Sequence, residues 1–186
     1  MPREESTLLT VATAVDLLHD LCASGVKADL AANPPIRLLV VDDDPVALRV
    51  IGSALQMAFG KPESADCGEA ALALTNEKPF DAIFLDVLMP GLDGFTTCLR
   101  IHETAQNRGT PVVFVTGHSD FKARSQASVS GGSDFIAKPF LKAEIIVKAL
   151  AFALRGRLQK HKTAQHVRLL PGHEEPKPAS LAPALG

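Results

Sequence analysis

Long apolar runs are missing from these 186 residues, and so is any large excess of charge of one sign. No stretch approaches the roughly 20 apolar residues of a membrane span, and the opening Pro2-Arg3-Glu4-Glu5 starts no secretion signal. The formal net charge is -2, so no broad basic field is available to gather a phosphate backbone, and the central region has no local basic patch. Neither nucleic acid nor membrane is an expected partner. Cysteine is scarce: Cys22, Cys67 and Cys98 lack the close spacing of a metal site or disulfide framework and read as reduced, small apolar residues. A cytoplasmic location is the expectation. No ATP-binding motif accompanies His19-Asp20, so that pair is read as an exposed histidine rather than a kinase's phosphorylation site.

What is present is the composition of a packed protein, 46% hydrophobic and 22% charged, with room for one domain plus extensions. Four regions are expected: an N-terminal helix over 1–25, a linker over 26–35, one domain over 36–157, and a tail over 158–186. Leu8, Val11, Val15, Leu18 and Cys22 step by three and four, which marks an amphipathic helix. It is read as docked on its own or a neighbouring domain, with a homodimer seam as the alternative. Asn33-Pro34-Pro35 breaks any continuing helix. The tail turns basic at Lys160, Lys162 and Arg168, then becomes rich in Pro and Ala, and is expected to be a solvated helix end followed by disorder.

Between these extensions strands and helices alternate. Strands are expected at 36–41, 63–66, 81–85, 111–115 and 133–137, and helices at about 45–58, 68–77, 94–106, 119–129 and 141–157. Repeated β-then-α order, with nearly continuous apolar strands, specifies a parallel sheet covered on both faces. Pro62 and Glu63 make the second strand suit a sheet edge.

The strand ends carry the chemistry. The first strand runs into Asp42-Asp43-Asp44, the third into Asp86, the fourth into Thr116 and the fifth into Lys138-Pro139. In a parallel sheet these carboxyl ends share one rim, so carboxylates, a hydroxyl and an ammonium meet in one crevice. Asp44 suits a helix N-cap and Pro45 the first helical position, which leaves Asp42 and Asp43 over. Three clustered carboxylates repel by roughly 1–4 kcal/mol per pair at about 4 Å. A divalent cation relieves that repulsion. Oxygen donors without nearby His or Cys describe Mg²⁺ better than zinc, with Asp43, Asp86 and the Leu88 carbonyl as direct ligands and Asp42 acting through water. A carboxylate at a strand tip beside such a cation can attack phosphorus, with Lys138 and Thr116 as further donors.

These residues resemble the receiver domain of bacterial two-component response regulators. The motifs are Val-Val-Asp-Asp-Asp at 40–44, Leu-Asp-Val-Leu-Met-Pro-Gly-Leu-Asp-Gly at 85–94, Val-Phe-Val-Thr-Gly at 113–117 and Asp-Phe-Ile-Ala-Lys-Pro-Phe at 134–140. The resemblance covers about residues 36–157. It implies an α/β fold, a doubly wound five-stranded parallel sheet of order 2-1-3-4-5. It also implies Asp86 as phosphoacceptor, Asp42 and Asp43 as the acidic pair for Mg²⁺, Thr116 as switch hydroxyl, Lys138 as phosphate partner and Phe135 as the rotating aromatic. A cis bond at Lys138-Pro139 belongs to the same expectation. The implied partners are a histidine kinase or phosphotransfer protein and a downstream protein reached through helix 119–129, strand 133–137 and helix 141–157. The chain would then be a phosphorylation-dependent switch and not an enzyme with turnover on other molecules.

Two departures stand out: Gly117 in place of a common alanine, and Phe135 in place of a common tyrosine. Leu88 and His118 hold positions that resemble gates on hydrolytic water, and an apolar Leu88 cannot orient water, so a long-lived phosphoryl group is expected. A haloacid-dehalogenase-like phosphatase would want an acid where Leu88 stands, and an FMN site would be repelled by Asp42–Asp44. A receiver-like scaffold that binds partners without phosphorylation is the rival from another class.

Overall fold

The computed structural model describes residues 2–23, 34–117 and 129–168, with side chains described over 7–19, 34–117 and 129–158. The elements are α1 (Pro2–Ala23), β1 (Leu38–Val41), α2 (Pro45–Phe59), β2 (Glu63–Ala65), α3 (Gly68–Glu77), β3 (Ala82–Leu85), α4 (Gly94–Glu103), β4 (Val112–Thr116), β5 (Asp134–Ala137) and α5 (Lys142–Arg168). All five strands are parallel, in the order β2-β1-β3-β4-β5. The sheet is the doubly wound one that alternating elements require.

The strands alternate between two cores because successive side chains point to opposite faces. Leu38, Val40, Ala82, Phe84, Val113 and Val115 face one core with α2 and α5. Leu39, Val41, Ile83, Leu85, Val112 and Phe114 face the other with α3 and α4. The three central strands are buried throughout, whereas β2 at the edge keeps Glu63 and Ser64 partly or fully exposed.

Helix α4 ends at Glu103, three residues short of the expected 106. Thr104 stops it by returning both its amide and its hydroxyl to the Ile101 carbonyl, at 3.0 and 2.7 Å. The chain then turns inward so that buried Asn107 can donate to the Thr75 and Lys78 carbonyls and accept from the Phe80 amide. Helix α5 runs past the expected 157 to Arg168, so the basic stretch expected as a solvated helix end continues the same helix. Residues 169–186, His118 and most of the expected helix 119–129 lie outside the described residues.

Helix α1 docks on α5 and β5 of its own domain. The expected apolar stripe is not the face that docks. Thr10, Thr13 and Leu17 are buried against the domain, while Leu8, Val11, Val15 and Leu18 point outward. The step of three and four specified a stripe; Leu17, which reaches the α2/α5 core, sets the helix rotation instead.

Candidate functional site

Register brings the predicted residues to one rim. Val41 pairs with Leu85 and Thr116 with Ala137, so Asp42, Asp86, Thr116 and Lys138 all stand at carboxyl ends of adjacent strands. The Asp86 amide donates to the Val41 carbonyl at 2.8 Å, and the Lys138 amide to the Thr116 carbonyl at 2.9 Å, which fixes the backbone on both sides of the crevice. Carboxylate oxygens of Asp42, Asp43 and Asp86 lie within 4.8 Å of one another. Asp42 is fully buried and Asp86 nearly so, whereas Asp43 is exposed.

Each acid is oriented locally. Asp44 caps α2 through its Oδ1, which accepts the Val46 amide at 2.8 Å, as Asp-Pro before a helix predicts. Asp42 Oδ1 accepts the Asp44 amide at 3.0 Å, and its Oδ2 takes the Lys138 ammonium at 2.7 Å. The same ammonium stands 3.3 Å from Asp86 Oδ2, and Asp86 Oδ1 accepts the Val87 amide at 2.8 Å. One lysine is thus shared by two acids. The Lys138-Pro139 peptide is cis, as the resemblance implied.

Burial raises the Asp86 carboxyl above its ordinary 3.8; Lys138 opposes this, and the Asp42 charge adds to it. For Lys138, burial works to lower the value, but the Asp42 hydrogen bond and the Asp86 and Asp42 charges outweigh it and the net shift is upward. The lysine is therefore held as ammonium. The all-carboxylate donor set, free of Cys and His, fits a hard divalent cation, whose charge would offset the burial and the Asp42 repulsion that raise Asp86.

The loop after Asp86 is shaped by close approach. Gly91 has φ +78, the left-handed region that glycine occupies without a Cβ penalty. The Gly94 amide donates to the Val87 carbonyl at 3.0 Å, and a Cβ at Gly94 would collide with the Asp86 carbonyl oxygen. The last glycine of the Pro-Gly-Leu-Asp-Gly segment thus lets α4 start directly against the acid's own backbone.

Sequence reasoning placed the acids, Thr116 and Lys138 at one rim but overlooked Lys148. Its side chain is 0% exposed; Nζ donates to Asp134 Oδ2 at 2.6 Å and to the Phe135 carbonyl at 3.1 Å, and lies 6.0 Å from the Phe135 ring centre. The pair ties β5 to α5 behind half-buried Phe135. Its position four residues after Glu144 resembles any surface lysine; only the strand-borne Asp134 opposite gives it away.

A family model described as the response regulator receiver domain matches residues 38–150. Over 102 residues the chain is 36% identical to the signal transduction histidine-protein kinase BarA of Shigella flexneri, spanning 55% of this chain and 11% of that one. Over 103 residues it is 39% identical to the response regulator PleD of Caulobacter vibrioides, spanning 55% of this chain and 23% of that one. Among solved structures it is similar to the receiver domain of the sensor histidine kinase PA1611 of Pseudomonas aeruginosa, with a TM-score of 0.60 and 26% identity over 64% of this chain and 98% of that one. That structure holds a magnesium ion in its active-site cleft. With fold, rim and motif in agreement, the chain belongs to the response regulator receiver domain family of two-component signalling. It spans only a small fraction of the length of BarA and PleD. No helix among the described residues is long and apolar enough to cross a membrane.

Proposed function

We propose that Asp86 accepts a phosphoryl group from a phosphohistidine on a kinase or phosphotransfer protein. The observation that supports this is one half-buried ammonium, Lys138, bridging Asp42 and Asp86 beside a three-carboxylate cluster. An Asp86 carboxylate oxygen attacks phosphorus, the phosphorus–nitrogen bond breaks with its electron pair returning to the imidazole, and an acyl phosphate forms. Asp43, Asp86 and the Leu88 carbonyl would hold Mg²⁺, with Asp42 through water; the ion supplies charge neutralisation for the transferring oxygens. Lys138 turns from Asp42 toward the new phosphoryl oxygens, and the Thr116 hydroxyl donates to another. Movement of Thr116 opens space for Phe135, which shifts β5 and α5 and passes the change to a downstream protein.

The test is intact mass after treatment with a small phosphodonor and Mg²⁺. The parent should gain one stable phosphoryl group and Asp86→Asn none. An adduct retained in Asp86→Asn places the acceptor elsewhere; no adduct on the parent leaves a partner-binding scaffold.

A further inference from the structure

Lys148 is a fully buried charged side chain that the phosphoryl chemistry leaves unused. It follows Ile145 and precedes Ala149 on α5, both of which enter the α2/α5 core. Its side chain is 0% exposed and that of its partner Asp134 is 5% exposed. Apolar side chains of similar volume ordinarily match or better the stability of such a pair, so filling space does not account for it.

The geometry around β5 does. This strand is the last in the sheet, and the two packed faces meet around its outer edge. Phe135 packs against the α3/α4 core, whereas Asp134, one residue earlier, alternates to the α5 side. Asp134 Oδ1 accepts the Phe135 amide at 2.7 Å, and its Oδ2 takes Lys148 Nζ at 2.6 Å. The same Nζ donates to the Phe135 carbonyl at 3.1 Å and lies 6.0 Å from the centre of its ring. Three bonds thus close a loop around the Phe135 backbone, and they run from one face of the sheet to the other. Phe135 has no hydroxyl through which a neighbour could follow it, which leaves its backbone and ring as the handles. A buried donor that loses its acceptors has no water to turn to, so Nζ follows them when they shift.

We propose that Lys148 is a positioning residue that couples Phe135 to α5, carrying a displacement of the aromatic across the sheet edge into the helix. The coupling rests on the phosphoacceptor reading and names the link by which the crevice acts on α5. It is reciprocal: whatever holds α5 also biases Phe135.

Hydrogen exchange over residues 142–158 of the full chain tests it, with and without a small phosphodonor and Mg²⁺, compared at equal labelling of Asp86. In the parent, phosphoryl transfer should change exchange there by at least about fivefold. Asp134→Leu with Lys148→Met removes both charges at similar volume; it should fold, still label at Asp86 and lose that difference. Lys148→Met alone should lose it too. A pair with only a structural role would raise exchange equally in both states and preserve the difference. A double variant that keeps the parent's difference overturns the proposal, as does a parent whose α5 exchange ignores phosphate. A double variant without native far-UV circular dichroism assigns the pair to stability alone and overturns it equally. A parent that gains no phosphoryl mass removes the phosphoacceptor reading and the coupling with it, a result that intact mass separates from the others.

Discussion

At the scale of single residues the site turns on Lys138, shared between Asp42 at 2.7 Å and Asp86 at 3.3 Å. Without a cation, the folded protein binds the Asp86 proton more tightly than the unfolded chain, because burial dominates that carboxyl's environment. Stability from this group is complete below its ordinary 3.8 and is lost as pH rises through its raised folded value. Above that window the ionised carboxylate is a cost. Asp86→Asn should therefore stabilise the Mg²⁺-free protein at neutral pH by about 1 kcal/mol, with the gain vanishing in acid. Thermal melts over a pH series measure this, and a destabilised mutant at neutral pH would contradict the electrostatic account. Leu88, exposed two residues past Asp86, offers no polar atom from its side chain to place a water. Leu88→Asn should shorten the acyl phosphate lifetime by about tenfold, corresponding to about 1.4 kcal/mol, measured as loss of the mass adduct with time. The acids and Lys138 were legible because each ends an apolar strand, and strand ends converge by topology. Lys148 was not, because its burial depends on Asp134 across a tertiary contact that no local pattern encodes.

Among the elements, the central strands could be read from sequence to within one or two residues, since burial on both faces leaves continuous apolar runs. The ends of α2 and α3 were as legible, and those of α4 and α5 were not. Helix α4 stops where Thr104 and Asn107 divert backbone bonds, and α5 continues where solvated basic residues tolerate helix. The direction of the α1 stripe was not legible either, since spacing defines a face but not what that face meets. The loop from Asp86 to α4 shows the opposite case, in which one glycine has a reason visible only in three dimensions. Gly94→Ala would drive a methyl group into the Asp86 carbonyl, a backbone atom held in place by β3. We expect it to destabilise the fold by about 2–3 kcal/mol and to weaken phosphodonor-dependent labelling, whereas Gly109→Ala, in open space, should do neither. Chemical denaturation of the two variants side by side decides this.

For the whole molecule, the two ends of the sheet are built differently. At the amino end, Arg157 forms a fork with Asp81, donating from Nε at 3.0 Å and from a terminal nitrogen at 2.7 Å, and reaches the Pro34 and Pro35 carbonyls at 2.6 and 2.9 Å. Asp81 also accepts the Arg37 amide at 2.9 Å, so one guanidinium joins α5 to the entries of β1 and β3. Removing it would leave a largely buried carboxylate and two carbonyls short of donors. Arg157→Ala should cost about 3 kcal/mol, and Arg157→Lys, which keeps charge but loses the fork, about half as much. Equilibrium unfolding in urea reads both. Thr110 and Asn107 extend the same network by bonding each other and the Phe80 backbone.

This floor of satisfied hydrogen bonds lies a full strand length from the acidic crevice. Damage to it should therefore lower how much protein survives in a cell while the molecules that remain react normally. Substitutions in the crevice should do the reverse, leaving abundance intact and silencing the signal.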